Sequence, residues 1–240
     1  MAAARYRRAM GATGRVLGVD GCRAGWIGIV LGAEHPPVGV FGPSVVDLVA
    51  GAGPVDLIAI DMPIHPPHAG PRPADLAARG HLGRKASSVF PTPARTVLAA
   101  ATYDEACRVA RAIDGRAISR QAWSLRSKIL EVDGWLASAP CPVHEVHPEV
   151  SFSLLAGAPI VASKRTSVGL SARRRWLEQA GIPVPSDLRP VSGVPGVAAD
   201  DVLDAAVVAW SARRIAAGAA RSFPDPPVRL ADGTTPAIWA

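Results

Sequence analysis

RVLGVDGCRAGWIGIVL, residues 15–31, decides how the rest of the chain is read. Val16 to Val19 is a short apolar run that stops on a single acid, Asp20. The chain then turns through Gly21-Cys22-Arg23-Ala24-Gly25 into a second apolar run, Trp26 to Leu31. That pattern is a strand, a tight glycine-containing turn and a returning strand. An aspartate set among apolar strand residues is expensive to bury unless a proton, a cation or a metal accompanies it. Asp20 is therefore either a turn former, since Asp-Gly is a common hairpin signal, or the first ligand of a site.

Working outward, Val38 to Phe41 reads as a third strand and Ser44 to Ala50 as a short helix with a serine N-cap. Val55-Asp56-Leu57-Ile58-Ala59-Ile60-Asp61 is the continuous run expected of a buried central strand, and it too ends on an aspartate. Two buried strands that each deliver an acid at the carboxyl end form a pattern, because that edge of an open α/β sheet is where ligands bind.

From Met62 to Ala94 the chain is proline-rich, with at most a short helix near Ala74 to Leu82. It carries Arg72, Arg79, Arg84, Lys85, Ser87, Ser88 and Arg95 around Val89-Phe90 and reads as an ordered, anion-facing segment, with a solvated loop as the plainer alternative. Tyr103 to Ile113 and Ser119 to Ala139 are expected helices, the second with Ala122, Leu125, Ile129, Val132 and Leu136 on one face. A short strand follows at Val143 to Val146, with Glu145 and His147 flanking Val146, and Pro148 opens a helix through Leu155. Leu170 to Ala180 is a further helix, whose Arg173-Arg174-Arg175 run reads as a solvated face. Asp232-Gly233 suggests a turn between two short extended pieces near the end of the chain.

The last long helix, Ala199 to Gly218, begins Ala199-Asp200-Asp201-Val202-Leu203-Asp204-Ala205. Asp201 and Asp204 are neighbours on one helical face, and like charges so placed repel. An acid in the first turn is an ordinary partner of the helix dipole, which accounts for Asp200. Asp204, more than a turn in and among apolar residues, has no such account. If Asp20, Asp61, Asp201 and Asp204 meet, the helix must pack across the sheet, and hard oxygen ligands then suit Mg²⁺ or Mn²⁺. Two such ions about 4 Å apart can activate a water and clamp a phosphoryl group. The six histidines lack zinc spacing, and no phosphate-loop or nucleophile-elbow motif is present. Lys128 and Lys164 are candidate phosphate contacts, with satisfied surface lysines as the plainer reading.

Composition sets the outer bounds. No apolar run approaches the roughly 20 residues that span a bilayer, so no membrane partner is expected. Three cysteines, Cys22, Cys107 and Cys141, without CxxC spacing argue for reduced thiols and a cytoplasmic setting. The net charge is +6, but Arg5, Arg7, Arg8 and Arg15 supply +4 of it with no acid among the first fifteen residues, leaving only +2 for the remainder. The organisation expected is a disordered basic tail over 1–14 and one domain over 15–240, with an inserted active-site loop at 62–98. The charge then says little about nucleic acid as a partner.

Taken in order, GVDGCRAGW, AIDMP, RPADLAARGHLGRKASSVFPTPAR, KILEVD, EVHPEVSF and DDVLDA resemble an uncharacterised family of predicted RNase H-like nucleases, domain of unknown function 429, over roughly Arg15 to Ala240. The final helix is similar to that of the Holliday-junction resolvases. The resemblance implies an RNase H-like α/β fold: a mixed central sheet, three antiparallel strands and then parallel ones, flanked by helices. It implies catalytic acids at Asp20, Asp61, Asp201 and Asp204, which are also the metal ligands, with Glu145 as a further acid; Asp61 stands where the resolvases have glutamate. It further implies that Arg79, Arg84, Ser87, Ser88 and Arg95 face a substrate that is a nucleic acid or a phosphorylated small molecule. The expected activity is divalent-metal-dependent phosphodiester hydrolysis. Competing expectations are an actin- or sugar-kinase-like phosphotransferase, disfavoured because the first hairpin has no second copy, and a non-catalytic metal-binding scaffold.

Overall fold

Gly18 lies mid-strand where a side chain would be fatal to the packing: a Cβ there would sit 2.1 Å from the Ala209 nitrogen and 2.5 Å from the Ala205 oxygen. Its absence lets a helix backbone rest directly on the sheet, and the site depends on that approach. In the computed structural model, which describes residues 14–32, 35–185, 191, 193–230 and 232–240, the first hairpin is β1 (Val16–Cys22) and β2 (Gly25–Leu31). The sheet adds β3 (Val38–Gly42), β4 (Leu57–Ile60) and β5 (Val143–Glu145), in the spatial order β3-β2-β1-β4-β5. The β1–β2 and β2–β3 pairs are antiparallel, whereas β1–β4 and β4–β5 are parallel. This is the mixed sheet expected of an RNase H-like fold. The expected tail lies, except for Gly14, outside the described residues.

Strand alternation sorts the core into two layers. Leu17, Val19, Ile58 and Ile60 face α1 (Val45–Ala52) and α6 (Arg126–Trp135), where Leu48, Ile129 and Val132 complete the packing. Val16, Ile27, Ile29, Leu57 and Ala59 face the other way, onto Leu203, Ala206, Val207 and Ala209 of α9 (Ala199–Ala216). By the same period of two, Asp20 falls on the Val16–Gly18 face and Asp61 on the Leu57–Ala59 face, so both acids point toward α9.

The proline-rich segment is more regular than the sequence suggests. It contains α2 (Pro73–Leu82), a 3₁₀ turn at Gly83–Ser88 and the single-turn α3 (Arg95–Leu98). α4 (Tyr103–Asp114) has Thr102 as its N-cap. The expected helix from Ser119 to Ala139 divides into α5 (Arg120–Ser124), α6 and a 3₁₀ turn at Leu136–Ser138. Ser119 caps it as expected. The break follows Ser124, whose hydroxyl donates to the Gln121 carbonyl at 2.8 Å, the back-bonding that bends helices. α7 (Pro148–Ala156) and α8 (Ser167–Gln179) follow, α8 starting three residues early because Thr166 accepts from the Gly169 amide.

One expectation is corrected here. Arg173 is fully buried, donating to Glu149 Oε1 at 2.5 Å, so the three-arginine run is not uniformly a solvated face. The chain closes with Ser222–Phe223 pairing antiparallel to Ile238–Trp239 across a turn near Gly233. Among the described residues no helix is long and apolar enough to cross a membrane, and all three cysteines are free thiols.

Candidate active site

Asp20 ends the buried part of β1 and Asp61 follows β4 in parallel register, where its amide donates to the Val19 carbonyl at 2.8 Å. The two acids are thus side by side at the same sheet edge, and each acts on the other's carboxyl group. α9 crosses the same edge and presents Asp201 and Asp204 to it. All four line one cleft of about 430 Å³, together with Gly21, Met62, Lys85, Ser88, Phe90 and Lys164. Acids far apart in sequence therefore converge because Gly18 lets α9 approach and because alternation aims both strand acids at it.

The electrostatics of this cleft are unbalanced. Asp20 is 7% and Asp204 1% exposed. Burial, then Asp61 and Asp204, push the Asp20 carboxyl well above the usual carboxylate range, with Lys164 opposing. Burial likewise raises Asp61 to about 7 and Asp204 to about 7, in each case against the pull of Lys164. Lys164 Nζ donates to Asp204 Oδ2 at 2.5 Å and lies 4.0 Å from Asp200 Oδ2. Asp204 Oδ1 is buried with no hydrogen-bond partner. Asp20 Oδ1 accepts from the Gly21 amide at 2.7 Å, and Asp201 Oδ2 from the Ala198 amide at 2.8 Å, capping its own helix. One ammonium thus serves several carboxylates.

Glu145 lines the cleft but is engaged elsewhere. It pairs in register with Ile60 and so belongs to the opposite strand parity from Asp61. Arg72 grips it with both terminal nitrogens, at 2.8 and 2.6 Å, and the Ile64 amide donates to it at 2.9 Å. The same guanidinium binds Asp75, which accepts also from the Thr92 amide at 2.7 Å. Arg72, Asp75 and Glu145 are all buried. Despite the opposing effect of burial, the two acids hold Arg72 firmly charged. Nothing in the sequence spacing announced this triad beyond the Arg72-Pro-Ala-Asp75 step.

The basic candidates divide sharply. Ser88 and Lys164 line the cleft; Arg79, Arg84, Ser87, Arg95 and Lys128 do not. Arg79 donates to the Ala86 and Val89 carbonyls and stiffens the 3₁₀ turn. Arg84 and Ser87 are exposed, and Arg95 forks onto Asp133. Lys128 donates to the Gly25 carbonyl at 2.5 Å and lies 4.2 Å from the centre of the Trp26 ring. Its stem packs beside Gly21, which lines the cleft.

Lys85, His147 and Glu149 also line the cleft. Lys85 Nζ is 3.7 Å from Glu149 Oε2. His147 Nε2 donates to the Ser88 carbonyl at 3.2 Å, and its Nδ1 is buried without a partner. Burial lowers the proton affinity of its ring. The KILEVD motif has a structural explanation, since Glu131 accepts from Trp26 Nε1 and from the Val45 amide.

These donors bear on the expected divalent ions. Hard carboxylate oxygens and the orphaned Asp204 Oδ1 are suitable in kind. Among the described residues, however, no three histidine, cysteine, aspartate or glutamate side chains are already arranged to hold an ion. Asp20 and Asp61 are carboxylates that could hold an ion, while Lys164 Nζ stands against Asp204.

No curated protein and no solved structure matches this chain. The family model described as protein of unknown function (DUF429) matches residues 18–229, a span that holds every acid of the cleft, and the chain belongs to that family.

Proposed function

We propose that the chain is a divalent-metal-dependent phosphodiester hydrolase acting on a nucleic acid or a phosphorylated small molecule. The observation that supports this most is the gathering of Asp20, Asp61, Asp201 and Asp204 from two strand ends and one helix into a single buried cleft whose negative charge exceeds its positive charge. Buried carboxylates that are mutually repelling and incompletely paired are a feature of sites that await a cation. In this reading Asp20 and Asp61 hold Mg²⁺ or Mn²⁺. The ion, when bound, supplies Lewis-acid polarisation of a phosphoryl oxygen and a water of lowered pKa.

The chain's own groups do the rest. Lys164 and Lys85 offset charge on a phosphoryl group entering the cleft, and Asp204 Oδ1 is free to accept a hydrogen bond from a water. Met62, Phe90 and Leu125 give the cleft an apolar wall that limits water around the reacting group. The volume is within the range of small-ligand pockets. The free thiols suit a cytoplasmic setting.

The test is a panel of single- and double-stranded nucleic acids and small phosphodiesters with Mn²⁺ or Mg²⁺. Wild type should cleave at least one class, and Asp20→Asn should lose that cleavage while keeping its circular dichroism spectrum. Equal cleavage by both proteins would overturn the proposal.

A further inference from the structure

We propose that the Lys164 ammonium is the resident second cation of this cleft, so that the site takes one divalent ion, on Asp20 and Asp61, where two would be expected. The proposal rests on the metal-dependent reading above and narrows it.

Three observations carry it. Lys164 Nζ is 2.5 Å from Asp204 Oδ2 and 4.0 Å from Asp200 Oδ2, so it sits among the acids that α9 contributes. Asp201 is already partly committed, since its Oδ2 accepts the Ala198 amide and caps its own helix. On the helix side Asp204 Oδ1 is buried with no hydrogen-bond partner, in the cleft that Asp20 and Asp61 also line. One such oxygen together with two carboxylates suits a single hard cation; a two-ion clamp needs ligands that bridge from both sides.

The placement of Lys164 is built rather than incidental. Its loop is fastened to α8 from behind: the Thr166 hydroxyl donates to the Ser163 carbonyl at 2.8 Å, and Arg173 Nη1 donates to the Ala162 carbonyl at 3.1 Å. Gly169 permits the closest contact, since a Cβ there would lie 1.9 Å from the Ser163 oxygen. Arg173 is anchored in turn by Glu149. A lysine held this way is a permanent charge, bound covalently where an exchangeable ion would otherwise be, and it keeps donors free for a phosphoryl oxygen.

Isothermal titration of the full chain with Mn²⁺, together with electron paramagnetic resonance of the loaded protein, tests the proposal. Wild type should bind one ion and show an uncoupled Mn²⁺ spectrum. Lys164→Met, which keeps the stem and removes the charge, should bind a second equivalent or bind the first at least tenfold more tightly. Lys164→Arg should keep a stoichiometry of one. Two ions in wild type, or a spin-coupled pair, would overturn the proposal and leave the hydrolase reading standing; identical Mn²⁺ binding by wild type and Lys164→Met would also overturn it. Absence of Mn²⁺ binding in all three proteins would overturn this proposal and the functional reading together. The wild-type stoichiometry decides the matter even if the methionine variant fails to fold.

Discussion

Glu145 and Asp204 are buried alike, at 3% and 1% exposure, and both line the same cleft, yet they are neutralised very differently. Glu145 receives a bidentate guanidinium and a backbone amide, and its neighbour Asp75 shares that guanidinium. Asp204 receives one lysine nitrogen on one oxygen and nothing on the other. Among the described residues no guanidinium or ammonium forms an ion pair with Asp20 or Asp61; Lys164 acts on both from further away, and Lys128 also acts on Asp20. In the first network one guanidinium is shared by two carboxylates, each of which also accepts a backbone amide. The second is open: an adjacent set of buried acids is left short of positive charge, and the proposed cation would complete the balance there.

The comparison breaks most visibly at Arg72. Arg72→Met should strand two buried carboxylates and destabilise the protein by about 3–5 kcal/mol, as removal of one partner from a buried pair does. Urea denaturation followed by circular dichroism reads it. A loss below about 1 kcal/mol, the scale of an exposed pair, would mean the triad is not paired as described.

A smaller effect sharpens the open side. Asp61 and Asp204 titrate near 7 in the folded protein against an ordinary value near 3.8. The folded state therefore holds protons that the unfolded state has released between those limits. Stability from these groups is full below about pH 4 and is lost as pH rises through 7. Metal-free protein should accordingly melt at a lower temperature at pH 8 than at pH 5, and Asp61→Asn should flatten that slope. A melting temperature that rises over the interval would contradict the unbalanced cleft.

The smallest effect is expected outside both networks. Arg95 forks onto Asp133 with about half its side chain exposed, away from the cleft. Arg95→Ala should change stability by less than about 1 kcal/mol, and it should leave cleavage unchanged. A large loss of cleavage would return Arg95 to the substrate face where the resemblance had put it.

These contrasts also explain what was legible in the sequence. The apolar runs ending on Asp20 and Asp61, and the pair Asp201 and Asp204 in an apolar helix, are local patterns, and local patterns survive folding. Strand parity even fixes which way the two strand acids face. Arg72 was visible only as one more basic residue of a proline-rich stretch, because its partner Glu145 lies 73 positions away and their meeting depends on how 62–98 folds back over the sheet. Arg79, Arg84 and Lys128 illustrate the same limit from the other side. A charge in a motif says that something must be paired, and here Arg79 and Lys128 pair with backbone carbonyls. Lys164 was counted among the phosphate contacts, yet its nearest neighbour proved to be Asp204, a relation no spacing encodes.

The central claim is that the open cluster takes a divalent cation, and thermal melting with and without Mn²⁺ at pH 8 tests it most directly. Wild type should gain about 2.7 kcal/mol of stability at a free ion concentration one hundred times the dissociation constant, while Asp20→Asn should gain none. A melting temperature that Mn²⁺ leaves unmoved in wild type, or raises equally in both proteins, would contradict the account.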